Sequence, residues 1–285
     1  MDSFMRINNV VAIIVTYKPN LESLINNIIN IKKQVLKVII VANKSKNMKY
    51  LDIIRNLDSD RKIKIVVNHD NLGIAAALNI GCNIAIKRYD PEWIITLDQD
   101  TKISLNAIKE VLKCYNANKI KNVGIIGLSN YNIPNKRPFI EVDRWMTSGN
   151  LIYASILNLI KFREDFFIDQ VDYDFCFNVK KNGLKILVYC KKLIVQHQIG
   201  NKKILKSGKI VYFEPPTRYY YIVRNSTRLC LEKKLKPSFY LKQLIVYTFK
   251  LMRVRGLTVV IRCLAFGFYD GVFNHMYNKR KILFK

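Results

Sequence analysis

The sequence predicts an α/β fold: a mainly parallel central sheet flanked by helices, with a helical appendage at the carboxyl end. Three observations carry this. Short β-branched runs alternate with helical periodicity through the first hundred residues, polar residues follow each apolar run, and a basic, apolar pattern takes over from about Pro237.

Val10–Val15 reads as the first strand, after which Leu21, Leu24, Ile25, Ile28 and Ile29 recur at helical spacing. Val35–Val41 is a second strand, and Tyr50, Ile53, Ile54 and Leu57 mark a second helix. Ile63–Val67 forms a third strand, Leu72–Ile86 a helix rich in small residues, and Trp93–Leu97 a fourth strand. Strands joined by helices make parallel pairs, and such sheets bind ligands beyond the carboxyl ends of their strands. The polar groups sit there: Thr16-Tyr17, Asn43-Lys44-Ser45, Asn68-His69-Asp70-Asn71 and Asp98-Gln99-Asp100. From about Lys136 the pattern is irregular. A carboxylate-rich segment, FREDFFIDQVDYDF, then precedes a helix and a strand at Lys185–Tyr189.

The chain has 285 residues, half of them hydrophobic, which suits one large core plus an appendage and excludes a disordered protein. The net charge of +27 fits nucleic acid, an anionic membrane, phosphorylated substrates or a solvated lysine-rich surface, and charge alone does not choose among them. The six cysteines are scattered without metal-ligand spacing and read as reduced thiols of a cytosolic protein. The first residues show no export signal. Lys242, Lys250, Arg253, Arg255 and Arg262 interrupt the apolar tail, so an integral membrane protein is not expected.

WIITLDQD ends a strand and delivers Asp98 and Asp100 at its exit. Two such carboxylates can hold a hard divalent cation, Mg²⁺ or Mn²⁺, that keeps positions open for phosphate oxygens; they can also serve a turn or a helix cap. Arg218, Arg224 and Asn225 lie in a basic, aromatic run suited either to a pyrophosphate or to an anionic membrane.

Taken together, VAIIVTYKPN, NLGIAAALNIG, LDQDT, the TSGNL segment at Thr147–Leu151, FFIDQVDYDFCFNVKKNG, His197 with Gly200 behind it, and RYYYIVRN at Arg218–Asn225 resemble the family 2 inverting glycosyltransferases, in particular their bacterial rhamnosyltransferase-like branch. The resemblance spans roughly Val10 to Asn225. It implies a GT-A type fold over 1–236, with a nucleotide-binding half at 1–101 and an acceptor-binding half at 102–236, ahead of a basic amphipathic tail at 237–285. It also implies a nucleotide-diphosphate sugar as donor, with dTDP-rhamnose the leading choice over another activated hexose, and a lipid-linked glycan of a bacterial surface polysaccharide as acceptor.

The resemblance assigns Thr16, Tyr17, Asn43, Asn71, Gly73, Asp98 and Arg224 to the donor, Ser148, Gly149 and Asp174 to the acceptor, and Asp98, Asp100 and His197 to the metal. Ala42 stands where the family commonly has an acid against the base, which leaves Asn43 to serve there. Asn71 doubles as a candidate helix cap. An inverting transfer needs a base for the acceptor hydroxyl, and the family's pattern sets Asp172 in that role, with Val171 replacing a usual Glu. These acids also suit the amino-terminal turn of the following helix.

EVDRW at Glu141–Trp145 differs from the QxxRW signature of processive synthases in residue and position, and DQDTKISLN lacks the continuation typical of polyprenyl-phosphate sugar synthases. TYKPN replaces the glycine-rich loop of a sugar nucleotidyltransferase, and no RRM, zinc or helix-turn-helix pattern supports nucleic-acid binding. In the tail, Lys242, Lys250 and Arg253 fall within an arc of about 80° on a helical wheel, which suits a peripheral protein on the inner face of the cell membrane. Packing on the catalytic domain or a second subunit is the alternative, so the oligomeric state is left open.

Overall fold

The computed structural model describes residues 9–56, 61–129, 133, 135–191, 195–196, 201–204 and 210–277. The chain begins with β1 (Val10–Thr16), α1 (Leu21–Lys32), β2 (Lys37–Ala42), α2 (Tyr50–Asn56), β3 (Ile63–Val67), α3 (Gly73–Tyr89) and β4 (Trp93–Asp98). It continues through β5 (Lys102–Ile103), α4 (Ala107–Asn118), β6 (Val123–Leu128), β7 (Phe139–Glu141), β8 (Asn150–Tyr153), α5 (Val171–Lys181) and β9 (Lys185–Tyr189). Then follow β10 (Val195–Gln196), β11 (Asn201–Ile204), β12 (Ile210–Phe213), α6 (Pro216–Leu231), α7 (Pro237–Arg255) and α8 (Leu257–Val272).

Every residue of β1 is buried, as a continuous β-branched run requires when helices cover both faces of a sheet. An eight-stranded sheet runs in the order β3-β2-β1-β4-β8-β6-β9-β7. β3, β2, β1 and β4 are parallel, β8 enters antiparallel between β4 and β6, β9 is parallel to β6, and β7 closes the edge antiparallel. The α/β architecture, the flanking helices and the carboxyl-terminal helical segment are as expected. The sheet is parallel over its first four strands and mixed beyond.

The small residues of α3 have a packing cause. A Cβ on Gly81 would stand 2.6 Å from Ile13 Cγ2, so this helix lies directly on β1. α1 is set by Asn20, whose side chain accepts the Ser23 N–H, and by Leu24, Ile28 and Ile31, which enter the core on one face.

The chain forms two compact units, 1–162 with 175–198 and 163–174 with 199–285. The first contains the eight-stranded sheet. In the second, α6 packs along α8 and α7 around Tyr219, Leu251, Val260 and Cys263. Gly267 and Gly271, one turn apart on α8, make this approach possible: a Cβ on Gly271 would stand 2.6 Å from the Arg224 carbonyl. Asp270 is completely buried and accepts the Tyr220 hydroxyl at 2.6 Å.

All six cysteines are free, and burial pushes the Cys82 thiol up to about 12. Among the described residues no helix is long and apolar enough to cross a membrane.

Candidate active site

In the first unit the strand ends are tied together by buried polar side chains. Thr16 at the end of β1 is fully buried, its hydroxyl 2.9 Å from that of Tyr50, whose pKa burial raises above the ordinary value. Tyr17 follows, exposed, with its backbone N–H donating to Gln99 Oε1 at 2.8 Å. Asn27 of α1 holds the other end of Gln99, donating to its carbonyl at 2.9 Å. Gln99 is thus fixed from two elements. Sequence reading passed over it because the flanking aspartates carry the obvious chemistry.

Asn43, just past β2, is buried and spends both ends of its amide inside the protein. Its Oδ1 accepts from Asn68 Nδ2 at 2.9 Å and from the Leu72 N–H at 3.1 Å, and its Nδ2 donates to the Gly73 carbonyl at 3.1 Å. It therefore staples the exits of β2 and β3 to the start of α3. Asn71 accepts the Gly73 N–H at 3.1 Å, which makes the cap. Ala42 is completely buried as the last residue of β2.

Asp98, Gln99 and Asp100 leave β4 partly exposed. The Asp98 N–H donates to Ser148 Oγ at 2.9 Å, and that hydroxyl lies 2.7 Å from Thr101 Oγ1. Gly149 donates its N–H to the Thr96 carbonyl at 2.8 Å, and Thr96 Oγ1 donates to the Thr147 carbonyl at 2.6 Å. Gly149 has φ +84, and a Cβ there would meet Val195 at 3.0 Å, so the residue type is fixed twice over. Ser148 and Gly149 thus frame the exit of β4 and pin the backbone of Asp98. Their neighbour Asn150 has a buried Oδ1 that meets no hydrogen-bond donor among the described residues.

In the second unit Asp172 lies partly buried in the first turn of α5 and accepts the Tyr173 N–H at 3.0 Å. Other carboxylates of this segment are committed to cations. Asp165 pairs with Arg163 at 2.9 Å, Asp169 with Arg218 at 2.5 Å, and buried Asp174 with Lys234 at 2.6 Å. Arg163 also binds Glu232 at 2.7 Å.

Arg224 is completely buried. Its Nη2 donates to the carbonyls of Asp165 at 2.9 Å and Phe166 at 3.0 Å, its Nε donates to Asn225 Oδ1 at 3.0 Å, and its Nη1 donates to the Met276 carbonyl. Burial pulls its pKa below the ordinary value. The expectation that Arg224 binds the donor is corrected here: its planar fork faces backbone carbonyls, and no surface is left for a phosphate. Asp174, expected at the acceptor, is likewise turned inward onto Lys234.

The family model for glycosyl transferase family 2 matches residues 10–184. The chain belongs to glycosyltransferase family 2. This family 2 enzyme is 29% identical over 253 residues to a dTDP-rhamnosyl transferase, RfbF, of Shigella flexneri, covering 81% of this chain and 82% of the relative. Its fold is similar to that of TarS 1–349 of S. aureus in complex with UDP-GlcNAc, with TM-score 0.57 and 16% identity over 94% of this chain and 82% of that one. It is also similar to the mannosyltransferase PcManGT of Pyrobaculum calidifontis in complex with GDP-Man and Mn²⁺, with TM-score 0.52 and 11% identity over 94% and 76%. The chain is a family 2 glycosyltransferase of GT-A fold.

No group of three or more metal-ligating side chains occurs among the described residues of this glycosyltransferase. Two carboxylates at a strand exit nevertheless fit a hard cation that completes its shell with diphosphate oxygens. His197 lies outside the described residues.

Proposed function

We propose that this glycosyltransferase transfers L-rhamnose from dTDP-rhamnose, with inversion, onto a hydroxyl of a lipid-linked glycan during synthesis of a bacterial surface polysaccharide. The exit of β4 carries the reading. There Ser148 pins the Asp98 backbone and two carboxylates emerge together at the carboxyl end of a parallel strand, where α/β sheets bind their ligands. The dTDP-rhamnosyl relative supports the choice of sugar.

Tyr17, Gln99, Asp98 and Asp100 are the donor-side groups. Asp98 and Asp100 would hold a divalent cation, which when bound offsets negative charge on the departing diphosphate. Asp172 takes the proton from the acceptor hydroxyl as that oxygen attacks the anomeric carbon. The bond from that carbon to the diphosphate oxygen breaks on the opposite face, releasing dTDP and inverting the centre. Asp172 is the preferred base of its segment because the family's pattern sets it in that role and it stands, partly exposed, in the first turn of α5. The domain division proposed with this function is a catalytic part at 1–236 and a membrane-facing part at 237–285.

A lipid-linked acceptor places the enzyme at a bilayer, at the inner face of the cell membrane. The helices α7 and α8 expose Ile245, Phe249, Leu257, Ile261 and Phe268 beside the basic Lys242, Lys250, Arg253 and Arg262. The sole carboxylate between Pro237 and Tyr277 is the buried Asp270, so the exposed face is apolar and purely cationic. Such a face suits anionic lipid, at about 1 kcal/mol per basic residue, and repels a second copy of itself.

Two experiments test this. In a panel of dTDP-, UDP- and GDP-sugars with Mg²⁺ or Mn²⁺, dTDP-rhamnose should be hydrolysed fastest, and Asp172→Asn should slow release of dTDP by about a hundredfold without loss of dTDP affinity. Indifference to the sugar, or a mutant of near-normal rate, overturns it. For the location, Ile245→Ser, Phe249→Ser and Ile261→Ser combined should abolish cosedimentation with phosphatidylglycerol vesicles. Equal sedimentation of wild type and variant rejects this face as the contact.

A further inference from the structure

The segment between Arg163 and α5 contains a backbone that L-residues resist. Phe167, Asp169 and Gln170 have φ of 61°, 65° and 62°, and none of the three is glycine. Each is strained and persists only where its surroundings enforce it. Gln170 is the residue from which α5 starts: its carbonyl accepts the Asp174 N–H at 3.2 Å, and Asp172 lies two residues on.

What enforces this backbone is a face of α6. Asn225, completely buried, donates through Nδ2 to the carbonyls of Phe166 at 3.0 Å, Ile168 at 2.9 Å and Asp169 at 2.8 Å. Its Oδ1 accepts from Arg224, whose fork takes the carbonyls of Asp165 and Phe166. At i−7 on the helix, Arg218 grips the Asp169 carboxylate with two bonds of 2.5 and 3.1 Å, and at i−4 the Tyr221 ring stacks on Phe167 with centroids 5.1 Å apart. Four carbonyls in a five-residue stretch are thus met by two adjacent side chains. These donors satisfy the carbonyls and at the same time hold the turn that leads into α5 from one side.

We propose that Asn225, with Arg224, is a positioning residue: it locks the left-handed turn before α5 and so fixes the direction of the Asp172 carboxylate. The proposal rests on Asp172 being the base. Neither α6 side chain touches substrate; they act by denying the turn its relaxed conformations. A displacement of about 1 Å at a reacting group can cost a hundredfold in rate, which gives the device its purpose.

A double-mutant cycle tests it, with dTDP-rhamnose hydrolysis as the assay and water in place of the unidentified acceptor. Asn225→Ser keeps a small hydroxyl but loses the amide donors. It should lower kcat by tenfold to a hundredfold, on the order set by such misplacement, with KM for dTDP-rhamnose and affinity for dTDP unchanged. In the Asp172→Asn background the same change should have no further effect, because the group it aims is gone. If Asn225→Ser does not fold, Arg224→Lys, which keeps the charge and loses the fork, takes its place in the cycle. A loss of equal size in both backgrounds, or an unchanged kcat, overturns the positioning role. A near-normal rate for Asp172→Asn alone defeats the base assignment instead, so the two failures give different patterns.

Discussion

The two compact units put charged side chains to opposite uses. In the first, buried Thr16, Asn43, Asn68, Thr101 and Ser148 form a frame at the strand exits, and the groups beyond it, Tyr17, Asp98, Gln99 and Asp100, reach solvent. In the second, the residues whose chemistry is most suggestive, Arg224, Asn225 and Asp174, are the frame, and all are buried. A charged side chain is evidence for a ligand only when its polar atoms are not already satisfied inside the protein. Arg224 donates to three carbonyls and an amide oxygen, so a phosphate would have to displace bonds that hold the backbone.

If that contrast is right, mutation should separate the units by what is lost. The largest effect is expected for Arg224→Ala, which takes the donor from the Asp165 and Met276 carbonyls and from Asn225 Oδ1 and leaves the Phe166 carbonyl to Asn225 alone; it should cost about 3 kcal/mol or more in urea denaturation, while the folded fraction keeps its dTDP affinity. A stable Arg224→Ala with weakened dTDP binding would break the comparison. Asp100→Ala should do the reverse. Its Mn²⁺-dependent affinity for dTDP should fall at least tenfold, about 1.4 kcal/mol, with the denaturation midpoint unmoved; loss of stability with binding intact would place Asp100 in the frame.

The smallest effect concerns acid. Burial raises the Glu232 carboxyl, but hydrogen bonds from Arg163 and Arg228 and the charge of Lys234 outweigh it and bring the pKa from its ordinary 4.5 down to about 2. A depressed pKa stabilises the fold at pH above the ordinary value, and that contribution is lost as pH falls from 4.5 through 2. Thermal midpoints measured across this window should drop more steeply for the native chain than for Glu232→Gln. Parallel curves would show that the Arg163–Glu232 pair contributes nothing to stability.

The contrast also explains which parts of the site were readable. β1 to β4 were legible because each is a mostly apolar, β-branched run ended by polar residues, broken only by Lys64 in β3, and hydrophobic patterning is local. β6 and β8 were not. Gly124 and Gly127 interrupt the pattern of β6, and the second of these is required by Trp145, whose ring would lie 2.3 Å from a Cβ, a contact invisible along the chain. β8 has only four residues, too few for a period to show. Asn71 as a cap was readable from its place before a helix, while Asn43 as a staple between two strands and α3 was not, since its partners are 25 to 30 residues away.

The sequence by itself determined the α/β class, the order of the first four strands and helices, the family, and the two carboxylates at the exit of β4, because all of these are written in contiguous patterns. Only the tertiary structure decided that Arg224 and Asn225 serve the turn before α5, that Ser148 serves Asp98, and that α8 can lie against α6 because Gly271 has no side chain. The physical reason is that which partner a buried polar group finds, and how much room a helix face must leave, depend on surfaces brought together by packing, over separations of 47 to 59 residues that no local pattern spans.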